Sequence, residues 1–157
     1  MASIYSLNIS SGGVPKLAVP ESLVTFAGLT GDWQKNRKYH GGPERALCLY
    51  ALERIEALVA EGHRVGPGAL GENVTVAGLA WDEVVPGVRL RLGRDVVVEV
   101  ASFTKPCRTI AGVFADGRSV RVSQAHHPGW SRVYARVLGE GVIRRGDPIA
   151  LEQGREG

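Results

Sequence analysis

Lys105-Pro106-Cys107-Arg108 places a thiol between two cations, and no other side chain in this sequence is better set up for chemistry. Adjacent positive charge, and a position where a strand gives way to a helix, both favour the thiolate, the form that attacks electrophiles and binds soft metals. The same spacing fits a structural cysteine at a strand end. A second candidate is His40-Gly41-Gly42-Pro43. Two glycines ahead of a helix-starting proline let the backbone approach a ligand closely, and the unpaired amides of a first turn attract anions. His40 would stand at the mouth of that site, able to give up a proton near neutral pH, or else in an exposed turn. Ser11-Gly12-Gly13 with Lys16 offers successive amides and an ammonium for a phosphate, or alternatively a plain hairpin loop.

Gly66 to Gly71, GPGALG, spells a dinucleotide-binding spacing without its context. That motif needs an apolar strand before it and a helix opening inside it. Upstream lies the polar Glu61-Gly62-His63-Arg64-Val65, and downstream Asn73-Val74-Thr75-Val76 favours a strand. The segment reads as a glycine-rich connector. His126 and His127 are adjacent, and neither Cys-x-x-Cys nor His-x-x-x-His occurs, so a metal held wholly by protein is not expected. The Gly-x-Ser-x-Gly elbow of serine hydrolases is also missing.

Many short strands must position these groups. The chain has 157 residues, 21 of them glycine and dispersed, which suits one domain of strands and tight turns, its core spanning about residues 4–152. Ala2 to Ile9 alternates apolar and polar residues, and Val88 to Leu92, Gly93-Arg94-Asp95 and Val96 to Val100 read as a hairpin. Val133 to Val137 alternates again, Gly139-Glu140-Gly141 turns into Val142-Ile143, and Ile149 to Leu151 ends the pattern. Leu47, Ala51, Ile55 and Leu58 recur at helical spacing with Cys48, so a helix is expected from Pro43 to Gly62 with Cys48 on its apolar side. A shorter helix is expected to start near Cys107. The fold class is mainly β with peripheral helices, a closed or nearly closed barrel.

The net charge of +3 is spread among acids, without the concentrated basic face that nucleic-acid binding usually shows, and it suits a small anionic ligand equally well. No apolar run is long enough to span a bilayer, the N-terminus has no export signal, and two cysteines make no disulfide framework. A cytoplasmic protein is expected.

Six segments in order resemble the MOSC domain, named for the C-terminal part of molybdenum cofactor sulfurase: SGGVPKLAV (11–19), GLTGD (28–32), HGGPERALCLY (40–50), GPGALGENVTVAGL (66–79), KPCRTI (105–110) and GWSRVYARVLGEGVIRRGD (129–147). The resemblance is to stand-alone bacterial members and implies a β-barrel related to one in pyruvate kinase. It also implies a site for the molybdenum cofactor, with Cys107 as molybdenum ligand or, alternatively, as a persulfide-bearing sulfur carrier. Gly71, Glu72 and Asn73 would shape the mouth of that site. Ser11, Gly12, Gly13 and Lys16, or Gly41 and Gly42, would cradle the cofactor phosphate, with Lys105 and Arg108 beside the thiolate. The activity so implied is reduction of N-hydroxylated compounds, with His40 donating a proton and Asn73 orienting the substrate. Electrons would come from a separate reductase. A non-enzymatic cofactor carrier, or a basic barrel binding nucleic acid, is the remaining alternative.

Overall fold

Alternation of apolar and polar residues translates into strands over most of the chain, as seen in a computed structural model that describes residues 1–32 and 42–152. In order these are β1 (Ser3–Ile9), β2 (Leu17–Val19), β3 (Glu21–Thr25), β4 (Gly28–Leu29), β5 (Leu47–Ala51), helix α1 (Leu52–Ala60), β6 (Val74–Ala77), β7 (Arg89–Leu92), β8 (Val96–Phe103), β9 (Val133–Gly139), β10 (Gly141–Arg144) and β11 (Ile149–Glu152). Eight strands form one sheet in the order β11-β7-β8-β9-β5-β6-β1-β2, while β10-β3-β4 form a second. The β7–β8 hairpin is the one expected from its turn. Gly139-Glu140-Gly141 does something different: it sends β10 out of the main sheet to pair with β3.

The main sheet curls far enough for its ends to meet. Ile4 N–H donates to the Asp147 carbonyl (2.8 Å), Gly146 N–H to the Ile4 carbonyl (2.8 Å), and Ile149 N–H to the Ala2 carbonyl (2.9 Å). A bridge between Ser3 and Pro148 completes the seam. The barrel is therefore nearly closed rather than closed, with β2 overhanging β1. Its interior is aliphatic, including Leu7, Leu47, Leu49, Val74, Leu90, Val98 and Val133, all without measurable exposure.

The helix expected from Pro43 is corrected. Pro43–Arg45 is a short 3-10 turn, Leu47–Ala51 is a strand, and only Leu52–Ala60 is α-helical, with Gly62 at φ +99° after its end as expected. Every residue of β5 is buried. A strand covered on both faces loses its alternation, and an unbroken apolar run running into a helix then mimics helical periodicity. β5 pairs in parallel with β6. Parallel neighbours need a crossover connection, and α1 supplies it. The second expected helix is a 3-10 segment, Arg108–Val113, with Cys107 as its N-terminal boundary residue.

Candidate functional site around Cys107 and Arg132

Strand register brings Cys48 and Cys107 toward a common neighbour. Along β9, Val133, Ala135 and Val137 are buried while Tyr134 and Arg136 are half-exposed, so Tyr134 stands on the outer face of the barrel wall. Cys48 lies directly across from Tyr134, and Ser102 flanks Tyr134 on β8, five residues before Cys107. The Arg45 guanidinium sits 5.5 Å above the Tyr134 ring. Burial, reinforced by the Cys48 sulfur, pushes the Tyr134 phenol up to about 12, so it keeps its proton at neutral pH.

A buried polar cluster adjoins this face. Lys16 Nζ meets both Asp32 oxygens at 2.7 and 2.9 Å, and both side chains are nearly inaccessible. Asp32 also accepts from Ser10 N–H and from Asn73 Nδ2, each at 2.9 Å. Asn73 is fully buried and tied to β5 twice, its amide N–H donating to the Cys48 carbonyl (2.7 Å) and its Oδ1 accepting from Cys48 N–H (2.9 Å). Its Nδ2 reaches the Asn8 carbonyl at 3.4 Å. Asn73 therefore acts on the site by joining β1, β5 and Asp32.

Glu72 is also fully buried. Loss of solvent raises its pKa against the opposing pull of the Gly68 and Glu72 amides, the Thr75 hydroxyl and Arg132. Thr75 Oγ1 donates to Glu72 Oε2 at 3.0 Å, whereas Oε1 has no partner. Arg132, 6% exposed, donates from Nη1 to the Leu70 carbonyl at 2.7 Å while its Nε has no partner. The Thr104 amide donates to the Arg132 carbonyl (3.1 Å), which fixes the exit of β8 just before Cys107.

Cys107 is half-buried and Cys48 buried. Burial raises the Cys48 thiol to about 11. Burial also works against the Cys107 thiolate, but the Thr109 hydroxyl and amide, the Arg132 charge and the Ile110 amide outweigh it and bring that pKa below the ordinary thiol value. Their surroundings thus shift the two thiols in opposite directions.

The sequence candidates separate accordingly. Cys107, Glu72 and Asn73 fall in or beside this cluster, and Lys16 joins it through Asp32. Lys105 and Arg108 are exposed, and neither is among the main influences on the thiol. Ser11 is exposed, and it is Ser10 that orders the loop, accepting from Gly12 N–H (3.2 Å) and donating to the Gly13 carbonyl (3.0 Å). Gly42 precedes the short turn at φ +92°. Gly71, at φ +83°, closes a turn by donating to the Gly68 carbonyl (3.0 Å). His40 and Gly41 lie outside the described residues. Asp32 and Arg132 went unread as site residues, although GLTGD and GWSRVYAR contain them. No local signal marks either, since both acquire partners only through the fold. A separate cleft of about 210 Å³ beside Trp81, Val84, Phe103 and Ser131 contains none of these groups.

Known proteins resemble this chain in sequence and in fold. The sequence pattern of the MOSC domain matches residues 36–150. YflK of Bacillus subtilis strain 168 is 35% identical over 124 residues, covering 77% of this chain and 54% of the relative. A protein named Reductase from Gibberella moniliformis is 32% identical over 117 residues, covering 71% of this chain and 20% of its own length. The chain therefore spans about half or less of these curated relatives. The crystal structure of YiiM from Geobacillus stearothermophilus superposes with a TM-score of 0.74 at 27% identity, covering 100% of this chain and 78% of that one.

Proposed function

Because the chain belongs to the MOSC domain family, we propose that it binds the molybdenum cofactor through Cys107 and reduces N-hydroxylated compounds. The observation that carries this reading is the half-buried Cys107 thiol, whose surroundings favour the thiolate. The donor set fits the group. A metal that arrives chelated by its own dithiolene needs one soft anionic sulfur from the protein, and a thiolate beside a buried cation suits that need. When bound, the cofactor supplies two-electron chemistry with oxygen transfer.

The chain's own residues would do the rest. Cys107 Sγ would hold the metal. Tyr134 retains its phenolic proton beside the site, and His40 is the proposed proton donor to the oxygen that leaves nitrogen. Asn73 and Asp32 tie the β1, β5 and β6 segments together beside the site, and Arg132 adds a positive charge that acts on Cys107. The fungal relative named Reductase supports the oxidoreductase reading. The electron donor is a separate reductase, and the setting is cytoplasmic.

Metal analysis tests the proposal. Protein produced in cells able to make the cofactor is expected to contain molybdenum, and folded Cys107→Ala is expected to contain at most a tenth as much. Absence of molybdenum from the wild type, or equal content in the variant, would remove the reading.

A further inference from the structure

Six arginines of this fold are matched to carboxylates. Arg54 pairs with Asp82, Arg89 and Arg136 with Glu99, Arg91 with Glu152, Arg121 with Glu61 and Arg144 with Glu21. Arg132 is more buried than any of them, yet among the described residues it makes no ion pair. Its one side-chain hydrogen bond goes to a neutral carbonyl, and its Nε is left without an acceptor. A buried guanidinium with neither counter-ion nor full hydrogen bonding is costly, and an anion bound beside it offsets that cost.

The neighbouring acids do not cancel this charge. Asp32 is held by Lys16 and by Asn73. Glu72 feels Arg132, but burial favours its neutral form. The guanidinium, whose charge acts on Cys107, is therefore left without a paired carboxylate, and its Nε is an unused donor.

We propose that Arg132 is the anion-recognising residue of the site, its guanidinium taking a negatively charged oxygen of the ligand that docks against Cys107. The inference rests on the reading of Cys107 as the docking point. It assigns recognition to a residue 25 positions away from that cysteine rather than to the adjacent Lys105 and Arg108. The ligand class is an oxyanion carrier such as a phosphate, carboxylate or enolate. A neutral ligand of the same size would lose the contact.

Charge-selective alkylation of the metal-free full-length protein tests this. Iodoacetate and iodoacetamide attack the same thiolate and differ in the carboxylate, so the ratio of their rates at Cys107, read by mass spectrometry, cancels the fraction of thiolate. A synthetic peptide covering residues 104–110 carries Lys105 and Arg108 and serves as reference. The ratio in the protein is expected to exceed that of the peptide by about three- to tenfold at low salt, the size of an attraction between unit charges several ångströms apart near a protein surface. Arg132→Met, shown folded by near-ultraviolet circular dichroism, is expected to return to the peptide value. Arg132→Gln, neutral but able to donate a hydrogen bond, replaces it if Met is not tolerated. A wild-type ratio no higher than the peptide's, or one that stays high in the folded neutral variant, would overturn the assignment. Because metal is absent from every arm, the outcome is independent of the molybdenum measurement.

Discussion

Two residues with the same reactive atom, Cys48 and Cys107, differ because one is sealed between a barrel wall and its cover while the other meets amides, a hydroxyl and a guanidinium. At pH 8, alkylation is expected to label Cys107 at least about a hundredfold faster than Cys48, since a thiol near 11 is ionised to roughly one part in a thousand there. Comparable labelling of the two by mass spectrometry would contradict the burial described. Glu72 supplies a pH signature in stability. An acid whose folded pKa lies above its unfolded value, here 4.5, keeps its proton in the folded chain after the unfolded chain has lost it, so stability falls as pH rises through that window. Below 4.5 both states are protonated and the penalty disappears. Glu72→Gln is therefore expected to melt above the wild type at pH 7 and to converge with it near pH 4; a lower melting temperature at both pH values would show the carboxylate to be ionised and useful. Cys107 stood out in the sequence because cations flank it and Glu72 because of its segment. Arg132 and Asp32 did not, because nothing adjacent along the chain distinguishes a paired surface charge from a buried one.

At the scale of elements, the GPGALG segment is explained by contact rather than by nucleotide binding. Gly68 has φ +83°, and a Cβ there would collide with the Lys16 carbonyl, whose own amide donates to the Gly68 carbonyl at 2.9 Å. The glycine thus lets the connector lie against the loop that presents Lys16 to Asp32. Gly66, two residues earlier, has open space at its Cβ position and no left-handed backbone. Gly68→Ala is expected to lose about 2–5 kcal/mol in denaturant unfolding, from strain and overlap together, while Gly66→Ala stays within about 0.5 kcal/mol. Equal effects would mean that the close approach is not what requires glycine. Strands with one exposed face were readable from alternation, as β1, β7, β8 and β9 show. β5 was not, because it is covered on both sides and its apolar run continues into α1. The partnership of β10 with β3 was equally hidden, since the Gly139-Glu140-Gly141 turn does not specify which sheet receives the next strand.

The whole molecule depends on whether the curled sheet behaves as a barrel or as an open sheet with two edges. Edge strands expose unpaired amides and exchange them readily, whereas a closed wall protects them until the domain unfolds. Three backbone hydrogen bonds cross the seam, and two of them use the N–H and carbonyl of Ile4, which also faces Val76 of β6. That residue is therefore tied on both sides, as a wall residue is. A side-chain bond supports the turn behind it, where Asp147 Oδ2 accepts from Arg144 N–H at 2.8 Å. Gly93 leaves no room for a Cβ against that aspartate and donates its own N–H to the Pro148 carbonyl at 2.8 Å, so the β7–β8 turn buttresses the same seam. Native-state hydrogen exchange measures the result directly. The Ile4, Gly146 and Ile149 amides are expected to open with free energies within about 1 kcal/mol of the slowest amides in β8 and β9, because breaking the seam would release strands that share one core. If they exchange at the rate of surface-loop amides while β8 and β9 stay protected, the ends of the sheet part independently. The site would then rest on the strands from β8 through β9, β5 and β6 to β1 alone, with closure adding nothing to its rigidity.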